Sequence, residues 1–255
     1  MNTFIMAVVF FVGLICGSFL NSVIYRMREL VSIFSERSHC PHCKEEIKWY
    51  DLLPLFSFVA LSGKCRRCKN KISWQYPLVE LGTALLFLMI YLNFGLSTYS
   101  VAIMLVSLFL VVIFVYDMYH QIIPDLMIMP AIFIWIVIWL GMLIFHYSLG
   151  ASFVNLLIGA LVGGGFIALL VLITKGKGMG VGDIKLALLL GFILGWQYTV
   201  VALSCAFILG ASIGILLVIS KVKKMKSSVP FGPFLIAGFY FALFYGEKVI
   251  NWYLG

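Results

Sequence analysis

The sequence predicts an all-α polytopic membrane protein of about eight transmembrane helices, with a small polar domain inserted between the first two. Three observations carry this. The 255 residues are 63% hydrophobic and 11% charged, against roughly a quarter charged in a soluble domain. Apolar runs of about 20 residues, long enough to cross the hydrocarbon core as helices, recur along nearly the whole chain. The one sizeable polar stretch, roughly residues 26 to 76, holds four of the six cysteines.

The expected spans lie near residues 3 to 25, 77 to 94, 98 to 116, 126 to 146, 153 to 173, 184 to 197, 199 to 219 and 230 to 250, the sixth being short. The first, MNTFIMAVVFFVGLICGSFL, has neither a basic segment before it nor an A-x-A cleavage site, so it reads as a retained helix rather than a signal peptide. The formal charge of +8 does not call for nucleic acid as a partner. Arg26, Arg28 and the basic residues up to Lys71, then Lys175, Lys177 and Lys185, then KVKKMK at 221 to 226, fall in alternate loops. That is the positive-inside pattern, with Lys248 as its exception, and the partner it implies is the lipid bilayer. It places the N-terminus outside, residues 26 to 76 in the cytoplasm and, with eight spans, the C-terminus outside. Nothing in the composition fixes an oligomeric state.

Within the polar stretch stand Cys40-Pro-His-Cys43 and Cys65-Arg-Arg-Cys68, with 21 residues between the pairs. Two C-x-x-C turns let four thiolates converge tetrahedrally, which suits structural zinc. Disulfides or free thiols are the alternatives, and a reducing compartment argues against stable disulfides. His39 and His42 could replace a thiolate, but four cysteines already complete a site. So short a stretch has little core of its own, and a small cytoplasmic zinc-binding domain stabilised by its metal is expected between helices 1 and 2. Cys16 and Cys205 lie in apolar runs and read as packing residues.

Two acids stand at the edges of apolar runs: Asp117 closes SLFLVVIFVYD, and Asp183 closes GMGVGD just before IKLALLLGFILGW. A carboxylate at the centre of a membrane helix costs about 3 kcal/mol on insertion scales and usually pairs or lines a wet cavity. The charge pattern puts both acids on the cytoplasmic side. An acid before an apolar helix can simply cap it, a reading open for Asp183 and for Asp125, which follows Pro124. Around Asp183, however, Gly178, Gly180 and Gly182 alternate, either to admit a second backbone or to allow positive φ. A phosphate loop would end in G-K-S/T or follow a strand, and this segment does neither.

GxGD beside an apolar helix, with a second aspartate preceded by Tyr116, suggests an intramembrane aspartyl protease. The glycines would line the approach of an extended peptide. Two carboxylates sharing a site do not readily both ionise, so one acts as base on water and the other as acid toward the scissile carbonyl. Glu80, near the start of the second span, either answers the helix dipole or joins the substrate approach. His120 reads as a loop or interfacial histidine, and His146 falls on the opposite side.

An ordered series of blocks resembles the type IV prepilin peptidases, also called prepilin leader peptidases and N-methyltransferases. GSFLNSVIYR at 17 to 26, RSHCPHC at 37 to 43, WYDLLPLFSF at 49 to 58, SGKCRRC at 62 to 68 and YPLVEL at 76 to 81 are similar to the N-terminal half of that family. Asp117 followed by IIPD, GMGVGDIKL at 178 to 186 and PFGPFL at 230 to 235 are similar to its peptidase half. The resemblance implies Asp117 and Asp183 as the catalytic pair, and prepilins or pseudopilins as substrates, cleaved after a glycine at the cytoplasmic face. It also implies methylation of the new N-terminal residue with S-adenosylmethionine, assigned to residues 1 to 95, with the peptidase in 96 to 255.

Two departures fall in the methyltransferase part. Met27-Arg28 stands where leucine-proline is common, and Leu52 replaces a common asparagine. A presenilin-like or signal-peptide-peptidase-like protease shares the YD and GxGD pattern but not the cysteine pairs or PFGPFL. A cation-coupled transporter would need an acid path across the membrane, whereas these acids are expected on one face.

Overall fold

Residues 2–29, 38–144, 152–176, 178–220 and 229–254 are described by the structure, a computed structural model. Lys177, His146, Arg37 and the KVKKMK stretch lie outside the described residues. Helix α1 (Thr3–Glu29) is followed by a 3-10 turn at Trp49–Leu52 and the short α2 (Phe56–Ala60). Then come α3 (Gln75–Phe94), α4 (Thr98–His120), α5 (Asp125–Ile144), α6 (Phe153–Thr174), α7 (Val181–Leu194), α8 (Trp196–Ile219) and α9 (Gly232–Leu254). Among the described residues there is no β-strand beyond two isolated bridges, His39 with Glu46 and Lys64 with Lys71.

All eight expected spans are helices, and seven are long and apolar enough to cross a membrane. The eighth is α7. Its 14 residues reach about 21 Å, short of a hydrocarbon core of about 30 Å. Leu186, Ala187, Leu189, Leu190, Gly191, Ile193 and Leu194 are all buried, because α5, α6, α8 and α9 each pack against it. A helix sheathed in protein need not match the bilayer thickness.

The chain forms two compact units, Met1–Val112 and Ile113–Gly255, and the division falls inside α4. In the first unit, α1 lies against α3. Val9, Phe87 and Tyr91 form a buried cluster, with Met104 and Leu108 of α4 packed on it. The α1–α3 contact is close because Gly13 and Gly17 lie on Ala84 and Glu80: a Cβ on either glycine would sit 2.6 Å from the Ala84 Cα and 2.7 Å from the Glu80 Cα, respectively. With no hydrophobic drive between helices in lipid, small residues that let backbones touch are a principal means of association.

The second unit repeats the device. A Cβ on Gly159 would lie 2.3 Å from the Gly191 carbonyl oxygen, and one on Gly163 would lie 2.6 Å from that of Ala187, so α6 and α7 meet backbone to backbone. Gly238 brings α9 equally near the Ala202 carbonyl of α8. Gly159→Leu should therefore destabilise the protein by about 1–3 kcal/mol through overpacking. Gly165→Leu, whose Cβ meets nothing within 4 Å, should be near neutral. Thermal denaturation of both variants in detergent checks the pair, and equal melting would contradict the packing account.

Candidate active site

The cysteine segment of the first unit is built from two equivalent turns. The Lys44 N–H donates to the Cys40 carbonyl at 2.9 Å, and the Lys69 N–H to the Cys65 carbonyl at 3.0 Å. The lysine after each pair takes positive φ, 59° at Lys44 and 60° at Lys69. Each turn thereby presents both of its sulfurs to one point. The Sγ atoms of Cys40, Cys43, Cys65 and Cys68 all lie within 4.8 Å of one another, and Cys40 and Cys68 are 3.9 Å apart.

Four thiolates at about 2.3 Å from a tetrahedral zinc stand about 3.8 Å apart, so the cluster fits that metal, and all six cysteines are free of disulfides. The Cys65 thiol is pushed down to about 7 by the amides of Cys68 and Arg67. Cys68 is held at about 11: the Asn70 amide lowers it, but desolvation and its contacts with the sulfurs of Cys65, Cys43 and Cys40 outweigh that. Four thiolates together need a cation. His39 and His42 are not part of the cluster, and the His39 ring instead meets Tyr25 edge-on at 5.8 Å.

Ion pairs tie the turns to their surroundings. Arg67 bonds Glu45 at 2.9 Å, and Arg66 grips Asp51 with two hydrogen bonds of 2.9 and 2.6 Å. The bonds from Arg66 hold the Asp51 carboxyl below its usual range. Glu80, also in this unit, is buried, and its Oε2 accepts from the Leu55 N–H at 2.8 Å.

The two aspartates are in the second unit. Asp117, in the last turn of α4, is 3% exposed, and its Oδ2 accepts from the Gly232 N–H at 3.1 Å. Gly232 opens α9, so the carboxylate of α4 sits at the positive end of another helix. Asp183 is 8% exposed. From the third position of α7 it reaches back, and its Oδ2 accepts from the Gly180 N–H at 2.8 Å. This is half of a capping box. Each acid thus spends one oxygen on a backbone amide, and among the described residues the other oxygen has no protein partner.

One side chain connects the supports of the two acids. A Cβ on Gly182 would lie 2.9 Å from the Ile123 Cβ, and a Cβ on Gly232 would lie 3.4 Å from the Ile123 Cδ1. Ile123, in the link between α4 and α5, is therefore a wall common to the glycine beside Asp183 and the glycine bonded to Asp117.

The glycines of the GxGD segment play different parts. None of Gly178, Gly180 and Gly182 has positive φ. Gly182 is required by Ile123, Gly178 rests at ordinary distance on Thr174, and Gly180 has open space beyond Asp183. Asp125 is the first residue of α5, and its carboxylate accepts from the Lys185 ammonium at 2.7 and 2.9 Å, tying α5 to α7.

Gly232 is the residue that sequence reasoning left without a role. Its signal was the Gly-Pro step opening the last apolar run. A Cβ there would lie 2.6 Å from the Asp117 Oδ2, so Gly232→Ala must displace the carboxylate. Misplacement of a reacting group by about 1 Å costs about 10²-fold in rate, so if Asp117 has the catalytic part that the sequence resemblance implies, that loss is expected for the variant in a detergent assay with the leader-bearing precursor that the same resemblance implies. Full activity would show that Asp117 needs no such support.

Residues 11–94 match the bacterial peptidase A24 N-terminal domain, and residues 104–215 match the type IV leader peptidase family. Proteins named prepilin leader peptidase/N-methyltransferase are similar along nearly their full length. That of Stutzerimonas stutzeri is 34% identical, covering 95% of this chain and 91% of its own. That of Pseudomonas aeruginosa is 33% identical with the same coverage. That of Bacillus subtilis is 34% identical and covers 98% of both chains. No solved structure matches the chain. Similarity of this extent, through both halves and in their family order, makes the chain a member of the type IV leader peptidase family.

Proposed function

We propose that this protein cleaves the basic leader from type IV prepilins or pseudopilins with Asp117 and Asp183 as a catalytic pair, and methylates the N-terminal residue so exposed. The observation that carries the peptidase reading is the pair itself. Two buried carboxylates are each oriented by one backbone amide and each keep an oxygen free, and the glycine bonded to one and the glycine beside the other both rest on Ile123. One holds a proton while its partner accepts one from water. The water attacks the scissile carbonyl, and the protonated acid stabilises the developing oxyanion and passes its proton to the departing amine. Gly178 and Gly180, with no side chain to obstruct an extended peptide, border the substrate approach.

The cysteine cluster holds structural zinc, and S-adenosylmethionine supplies the methyl group. Residues 1 to 95 serve the methyltransferase and 96 to 255 the peptidase. The protein resides in the bacterial cytoplasmic membrane with both acids facing the cytoplasm. There the junction between a basic leader and an apolar pilin helix reaches their depth, whether the product enters pili, a secretion pseudopilus or competence machinery. The match of residues 11–94 to the bacterial peptidase A24 N-terminal domain favours this reading over a protease without the cysteine pairs. A transporter's acid path would extend beyond one pair.

The test is reconstitution in liposomes with a leader-bearing prepilin and S-adenosylmethionine, read by mass spectrometry. The expected product lacks its leader and carries one added methyl group. An intact precursor contradicts the peptidase reading, and a cleaved product without added mass contradicts the methyltransferase reading.

A further inference from the structure

We propose that Ser18, Asn21 and Glu80, roofed by the turn at 52 to 55, form a seat for a primary ammonium group: the N-terminal amine of the cleaved pilin awaiting methylation. This rests on the methyltransferase reading and gives that activity its amine-binding residues.

The seat lies where the close α1–α3 contact ends. Gly13 meets Ala84, and one turn on Gly17 meets Glu80. A further turn on, the small residues give way to Asn21, whose Nδ2 donates to the Tyr76 carbonyl at 3.0 Å. Its Oδ1 is buried and has no hydrogen-bond partner among the described residues, and the residue is only 2% exposed. An unmet buried acceptor is costly. Glu80 is 8% exposed and accepts from the Leu55 amide, yet among the described residues no basic side chain pairs with it. A buried carboxylate without a counter-charge is costly unless something brings one. Side chains on helices lean toward their own N-termini. In this antiparallel pair Asn21 leans toward the level of Glu80, and Glu80 toward that of Asn21.

The roof is strained. Leu55 has φ 60° and ψ −45°, and the Phe56 N–H bonds the Pro54 carbonyl at 2.6 Å. Together these make a γ-turn of the rare, positive-φ kind. Such a strained conformation persists where its surroundings hold it, and it clusters at ligand sites. Glu80 holds the Leu55 amide, and the Ser18 hydroxyl donates to the Leu52 carbonyl at 3.3 Å, so both helices pin the turn over the polar groups.

What the cluster lacks is donors and positive charge. Its unmet group is Asn21 Oδ1, and the Glu80 carboxylate, held by the Leu55 amide and the Ser18 side chain, has no counter-charge among the described residues. A primary ammonium offers three N–H donors and one positive charge. Once seated, it gives a proton to the Glu80 carboxylate and becomes a neutral amine. The amine lone pair then forms a bond to the methyl carbon of S-adenosylmethionine, while the carbon–sulfur bond breaks and its electron pair remains on sulfur as a neutral thioether. The product leaves as a secondary ammonium, and the proton on Glu80 passes to water.

The test uses the full-length protein and a synthetic peptide of a mature pilin N-terminus beginning with phenylalanine, supplied already cleaved, with its amine free or acetylated. Wild type should bind the free-amine peptide about tenfold more tightly, as befits a charged hydrogen bond, and should methylate it. Glu80→Gln, which keeps an acceptor for Leu55, and Asn21→Ala should lose that preference and most methyl incorporation while retaining bound zinc. Equal wild-type affinity for the two peptides overturns the seat without recourse to any variant. So does methylation at the wild-type rate by both variants. Wild type that prefers the free amine but never methylates it overturns the methyltransferase reading while leaving the seat supported.

Discussion

Asp117→Asn and Asp183→Asn should each slow leader cleavage by about 10³-fold, within the range expected when a positioned acid or base is removed. Asparagine is the informative replacement because it is nearly isosteric and still accepts a hydrogen bond. In Asp117→Asn the Gly232 amide keeps its partner, and in Asp183→Asn the Gly180 amide does. What disappears is the ability to hold and release a proton. If Asp183 only capped α7, asparagine would serve about as well, at a cost of a few tenths of a kcal/mol. Rate and melting temperature measured on the same samples separate the readings: a large loss of rate with little change in melting is expected, and unchanged rates would leave the acids as helix caps.

Removing the metal should have the largest effect on stability in the first unit. Residues 38 to 74 are organised by two tight turns, a five-residue helix and a 3-10 turn, and in this segment only Cys40 is buried. The exposed Arg66–Asp51 and Arg67–Glu45 pairs add little, since surface ion pairs are worth about 0–1 kcal/mol. Structural zinc contributes about 10 kcal/mol or more in small domains. Cys43→Ser, or a strong chelator, should therefore open this segment to limited proteolysis. Elemental analysis of untreated protein should find about one zinc per chain. Protein purified metal-free and still resistant in this segment would refute the structural role.

Much of this architecture was legible because lipid makes simple demands. A run of about 20 apolar residues must be helical, so the expected spans coincide with the helices to within a few residues, and 184–197 is the short one in both. The C-x-x-C spacing likewise announced a cluster. The intervals Gly13–Gly17 and Gly159–Gly163 are small-xxx-small patterns, the usual sign of close helix contact, a signal that sequence reasoning left unused. Their partners, Ala84, Glu80, Gly191 and Ala187, depend on a register that no local pattern encodes.

The same limit hid the support of Asp117. Gly232 is 115 residues away in sequence, and nothing near Asp117 reports it. The ion pair of Asp125 with Lys185 spans 60 positions, so capping was the only role its own neighbours could suggest. The γ-turn at Leu55 was hidden differently, since leucine is not a residue that advertises positive φ.

Single-turnover cleavage by wild type, Asp117→Asn, Asp183→Asn and the double variant tests the pairing most directly. Residues that act as one catalytic unit are strongly non-additive, so the double variant should cleave no more slowly than either single one. Losses that multiply would mean that the two aspartates act independently, and that they are not a pair.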